Sequence, residues 1–163
     1  MGGAGNGRCG NSVRIVVDDL SGTRIAGFLE EHVRQMREIS PPESKHALDL
    51  DGLRRPEVVF WSVHDGEELV GCGALKRLDA GHAELKSMRT AVARKRGGVA
   101  SLLLDHILAE ARGLGFSRIS LETGSADFFL PARRLYAKFG FAECEPFAEY
   151  RPDPLSTFMT RTL

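Results

Sequence analysis

The sequence predicts an α+β domain, a mixed, mostly antiparallel twisted sheet flanked by helices. Three observations predict it. Runs rich in β-branched residues follow one another between residues 57 and 90 with Gly-containing turns between them, the pattern of a meander. Two long apolar stripes with helical spacing interrupt the strands, one before and one after that meander. The 163 residues carry no internal repeat and suit one domain, with strands and helices partly segregated along the chain.

Residues 13–17 (VRIVV) are almost all β-branched and form the first strand. Ser21 is placed to cap a helix in which Ile25, Phe28, Leu29, Val33 and Met36 share one face, and Pro41 and Pro42 stop it. A short second helix is expected over 43–50. Residues 57–64 (EVVFWSVH) form the next strand, with Phe60 and Trp61 as packing residues. Asp65-Gly66 tolerates the positive φ of a tight hairpin turn and leads into a strand over 67–78. Asp79 to Gly81 turns the chain again into a strand over 82–90.

The clearest helix follows. Val99, Leu103, Ile107, Ala111 and Leu114 form its stripe, Leu104 and Leu108 widen it, and Gly115 ends it. Residues 117–122 (SRISLE) form a strand, and 131–139 form a helix opened by Pro131, whose position needs no amide donor. Strands over 141–149 and 156–162 close the domain.

Composition excludes several function classes. The 22 basic and 22 acidic residues cancel, so no global field recruits nucleic acid or an anionic membrane. Arg133 and Arg134 occupy the polar side of a helix, without the interleaved aromatics that stack on bases. No apolar run approaches the roughly 18 residues of a membrane span. Cys9, Cys72 and Cys144 are too scattered for a disulfide framework or a zinc site, so no metal is expected and a reducing cytoplasmic location is. Residues 1–12 lack the apolar middle of a signal peptide and read as a flexible Gly-rich tail, ahead of a single domain over 13–163.

The chemistry concentrates where the strand over 82–90 runs into Lys95-Arg96-Gly97-Gly98-Val99-Ala100 at the start of the long helix. A helix start carries amides without intrahelical partners and about half a positive charge. Gly97 and Gly98 let a ligand approach the backbone, and Arg94, Lys95 and Arg96 crowd the same turn. The combination suits a pyrophosphate. Neither GxxxxGK[ST] nor GxGxxG is present at this turn, which disfavours nucleoside triphosphates and NAD there.

In this context the chain resembles the GNAT superfamily of acetyl-CoA-dependent N-acetyltransferases. The segment 95–100 reads as that family's [RQ]-x-x-G-x-[GA] motif with Lys95 in the first position. The strand SRISLETG and the helix PARRLYAKFGF, ending in the family's Tyr-x-x-x-Gly-Phe, follow in the expected order. The family's frequent Asn before that helix is not evident in Gly124-Ser125-Ala126-Asp127. The likeness spans about residues 13 to 163, so it implies that the single domain is an N-acetyltransferase of GNAT type.

The resemblance implies that strands 82–90 and 117–122 are parallel neighbours that splay at one end to admit the pantetheine arm. The backbone of Met88, Arg89 and Thr90 would bond that arm. Lys95, Arg96, Gly97, Gly98, Val99, Ala100 and Ser101 would cradle the pyrophosphate, and Thr123 is a further cofactor contact. Tyr136 would give a proton to the leaving thiolate. Glu84 is the first candidate base, sharing a strand face with Lys86 and Met88 by alternation. Glu122 is the second; His82, beside a turn, is set aside as solvated. The expected reaction moves an acetyl group from acetyl-CoA to a primary amine of a small molecule or peptide by direct attack, without an acyl-enzyme. A non-catalytic acyl-CoA-binding module of the same fold is the competing class. Whether two chains pair as a homodimer is left open.

Overall fold

The computed structural model describes residues 13–39, 50–95 and 97–163. The tail over 1–12 and the turn residue Arg96 lie outside them, as does all but the last residue of the helix expected over 43–50. Seven strands form one sheet in the order β1-β2-β3-β4-β5-β7-β6. β1 (Val13–Val17), β2 (Val58–Asp65), β3 (Glu68–Arg77) and β4 (His82–Thr90) form the expected antiparallel run. β5 (Arg118–Gly124) is parallel to β4, and β7 (Ser156–Thr162) returns antiparallel to β5 with β6 (Ala142–Glu143) at its edge.

Alternation along the strands sends side chains to two cores. Trp61, Val63, Leu75, Leu85, Ile119 and Leu121 face α3 (Val99–Gly113), whose Leu103, Leu104, Ile107 and Leu108 are buried against them. α4 (Leu130–Lys138) joins that core through Tyr136. On the opposite face Phe60, Cys72 and Ala74 pack with Leu20, with Ile25 and Leu29 of α1 (Thr23–Ile39), and with Leu53 of α2 (Leu50–Leu53). Each fully buried Leu or Ile contributes about 1.5–3 kcal/mol, so the α3 stripe anchors the helix on the sheet. Phe60 and Trp61 are packing residues, each 2% exposed.

Three expectations are corrected. Ser21 does not cap α1: its hydroxyl and amide both donate to Asp19, and Gly22 supplies the carbonyl that opens the helix to Ala26. Leu114 falls one residue beyond α3 and is exposed, because the chain turns toward Gly115 at φ +91°. The strand over 141–149 shrinks to Ala142–Glu143, with a last bond from the Cys144 amide to the Phe158 carbonyl. Pro146 then has no amide to donate, and Ala148 turns at φ +53°.

Candidate active site

The β4–β5 ladder ends early. Its register runs from His82 with Arg118 to Leu85 with Leu121, although β4 continues to Thr90 and β5 to Gly124. The cause lies in β4. Ser87 adopts φ +57° and the β3 register jumps from Ala74 with Lys86 to Cys72 with Arg89, a bulge that bends the strand away. Between the diverging strands opens a cleft of about 140 Å³.

The bulge also reassigns faces. Glu84 and Lys86 share the α1 side as expected, but Met88 does not join them; it packs into the α3 core, and Arg89 takes the α1 side. Simple alternation fails here because the bulge inserts one extra residue. Glu84, Met88, Glu122, Thr123 and Tyr136 all line the cleft, as do Lys86, His32 and Tyr150. At its end Phe129 lies so close to Gly124 that an added Cβ would stand 2.1 Å from the ring, so only glycine fits.

The second half of the predicted site is the start of α3. Gly98 holds φ +86°, where a β-carbon is strained, and no side chain caps the helix. The backbone bond from the Leu102 amide to the Gly98 carbonyl opens the ladder, and among the described residues the amides of Val99, Ala100 and Ser101 at the helix start have no carbonyl partner. Arg94 is paired with carboxylates of another hairpin. Its guanidinium binds Asp65 at 2.7 Å and Glu68 at 2.9 Å, which ties the turn to the β2–β3 hairpin. Lys95 is exposed, with its ammonium 5.4 Å from the Phe128 ring.

The candidate catalytic groups differ in how they are held. Tyr136 is buried, its hydroxyl without a hydrogen bond among the described residues; burial first, then the Glu122 charge, raise its pKa well above the usual phenol range. Glu122 is half-buried and accepts a 2.7 Å hydrogen bond from Ser156. Glu84 is buried, and its Oε2 is taken by Lys86 at 2.9 Å and by the Tyr150 hydroxyl at 2.5 Å. Burial, then the charge of Glu84, raises the Tyr150 pKa too, so that phenol stays a donor. His82 is half-buried and not fully solvated: its Nε2 lies 2.7 Å from the Ser120 hydroxyl, and burial lowers its pKa. The Cys72 thiol is buried and pushed up to about 12, so it offers no thiolate. Among the described residues no group of His, Cys, Asp and Glu could hold a metal.

The sequence pattern of the acetyltransferase (GNAT) family matches residues 25–141, which include the helix start and all of the cleft lining except Tyr150 and Leu155. The chain belongs to the GNAT acetyltransferase family. It is 54% identical over 151 residues to an uncharacterized N-acetyltransferase, YsnE, of Bacillus subtilis, covering 93% of this chain and all of that one. A Klebsiella pneumoniae structure assigned as an acyl-CoA N-acyltransferase superposes with a TM-score of 0.75 at 25% identity, covering 93% of this chain and 97% of that one. A GNAT acetyltransferase from Elizabethkingia anophelis, solved with acetyl-CoA bound, has the same fold, with a TM-score of 0.63 at 15% identity, covering 94% and 99%. The protein is therefore an N-acetyltransferase.

Sequence reading of this GNAT chain missed Tyr150, His32 and the bulge at Ser87. Tyr150 reaches Glu84 from 66 residues away, and His32 comes from α1, so neither carries a local signal. The two close aromatics Phe147 and Phe158 that seat Tyr150 were the available hint.

Proposed function

We propose that this N-acetyltransferase moves an acetyl group from acetyl-CoA to a primary amine of a small molecule or peptide by direct attack. The observation that carries the reading is the end of the β4–β5 ladder at Leu85 and Leu121, which opens the sheet between Tyr136 on one side and two carboxylates on the other. A thioester carbonyl in that gap meets an amine from the α1 side and expels its thiolate toward Tyr136. The amides of Val99, Ala100 and Ser101 bind the pyrophosphate together with Gly97, Gly98 and Lys95, while the unpaired edge of Met88, Arg89 and Thr90 and the side of Thr123 follow the pantetheine arm.

An amine arrives mainly as ammonium and must lose a proton before it attacks. Glu122 is the better placed base, since Glu84 already holds an ammonium and a phenol on the same oxygen. This reverses the order that strand position alone suggests. Tyr136 keeps its proton at physiological pH, and its contribution is a hydrogen bond to the developing thiolate, which then takes a proton as coenzyme A leaves. Holding amine and thioester together supplies several kcal/mol of the barrier reduction. The reaction needs no metal and no acyl-enzyme, and a reducing cytoplasm suits the chain's buried thiol.

Thiol release from acetyl-CoA with a panel of amines tests the reading. Amine-dependent release, with acetylated amine found by mass spectrometry, supports it. Acetyl-CoA binding without release for any amine sinks it and leaves a binding module.

A further inference from the structure

The bulge at Ser87 does more than open the sheet. In a regular strand Lys86 and Arg89 would face opposite sides; the extra residue places both on the α1 side in succession. Both cations are withdrawn from water. The Lys86 side chain is 8% exposed and that of Arg89 is 6% exposed.

Among the described residues their partners do not balance them. Glu84 is the buried carboxylate on that side, and it pairs with Lys86. Lys86 has three donors, and Glu84 and Tyr150 engage two of them. Arg89 reaches Glu31 only at 3.5 Å, and that carboxylate is 62% exposed, so water screens most of the pair. Its other contacts, Gln35 at 3.0 Å, His32 Nδ1 at 3.4 Å and the Phe28 ring, are neutral, and its buried Nε has no partner among the described residues. Burial first, and then the Arg89 charge, push the His32 pKa down to about 4, so its ring is neutral. A neutral His32 that accepts at Nδ1 carries its proton on Nε2, a further donor in the wall of the cleft.

We propose that the acceptor amine carries a carboxylate, held on the α1 side of the cleft by Lys86 and by the Arg89–His32 pair. The inference rests on the acetyl-transfer reading above. A carboxylate there adds a second buried anion beside two buried cations that share one, and Glu122, across the mouth on β5, faces the ammonium. The acceptor class is an amino acid or a compound with the same two groups a few bonds apart.

The test uses the full chain, acetyl-CoA and matched acceptors. Common α-amino acids and short ω-amino acids are each compared with their primary amides by thiol release. The amide has the more readily deprotonated amine, so intrinsic chemistry favours it and the expected order runs the other way. The best acid should exceed its amide by about tenfold or more in kcat/KM, carried mainly by KM. Arg89→Gln should narrow the ratio to within about twofold, whereas Arg89→Lys retains most of it. Equal rates for acid and amide in the unaltered protein overturn the carboxylate subsite and leave acetyl transfer standing. Absence of release with every acid and amide, while acetyl-CoA binds, overturns the transfer reading and the subsite with it. Should Arg89→Gln fail to fold, the acid-to-amide ratio of the unaltered protein still decides.

Discussion

The cleft and the turn into α3, the two halves of the proposed site, are built from different materials. On the proposed donor side, the turn into α3 offers backbone: three amides at a helix start, with glycine at φ +86° leading in. On the proposed acceptor side, β4, β5, α1 and the segment before β7 each contribute side chains, and Glu84, Lys86 and Tyr150 lock one another in place. Backbone presented by a tight turn can hold one ligand shape regardless of most side chains, whereas an assembled wall is free to differ in whatever it recognises. The contrast teaches that the donor can be read from a short motif and the acceptor cannot.

The largest expected effect lies where the two sides meet. Tyr136→Phe removes only a hydroxyl, so turnover should fall by about ten- to a thousandfold while acetyl-CoA affinity stays nearly unchanged. Stopped-flow turnover and calorimetry measure the two terms; equal turnover would reduce Tyr136 to a packing residue. Next come the carboxylates. Glu122→Gln should lower turnover by about ten- to a hundredfold, with recovery at high pH as the amine arrives neutral. Glu84→Gln should have the smaller effect on turnover. The reverse order in pH–rate profiles would return the base to Glu84, and normal turnover in both would route the proton through water.

Gly98→Val probes the donor side alone. An added Cβ meets nothing within 4 Å, so the cost comes from the positive φ and from the face it closes to the ligand. Acetyl-CoA should bind at least about tenfold more weakly, about 1.4 kcal/mol. Unchanged affinity in a folded variant would move the donor site elsewhere.

The smallest effect concerns the acceptor wall without any ligand. The folded pKa of His32 lies near 4, below its ordinary 6.5, so between those values the unfolded chain binds more protons. Stability from this group is therefore complete above pH 6.5 and is lost as pH falls toward 4, by about 3 kcal/mol at most. Denaturant titrations should show that slope, and His32→Gln should flatten it.

How much was legible follows the same division. The α3 stripe of Val99, Leu103 and Ile107, the meander over β2 to β4, and the order of helices could be read because spacing along the chain determines them. The turn at Gly97-Gly98 could be read because glycine has a conformational reason to be there. The bulge at Ser87 could not, since a serine at φ +57° has no local signature, and it misdirected the face of Met88. Arg94 looked like part of the anion site because it is adjacent in sequence, yet Asp65 and Glu68, brought by another hairpin, claim it. Tyr150 escaped notice because its role exists only once the segment before β7 folds back onto β4.

That segment has a practical property. Its base is closed independently of its middle: the Cys144 amide bonds the Phe158 carbonyl, and Ser125 clasps the far end through the carbonyls of Pro154 and Leu155. Residues between these clasps therefore form an exchangeable cassette. A transplant of the corresponding stretch from a relative would bring a new wall to the proposed acceptor side, and a library confined to Pro146–Pro152 would leave Asp153, which holds the Leu155 and Ser156 amides, in place.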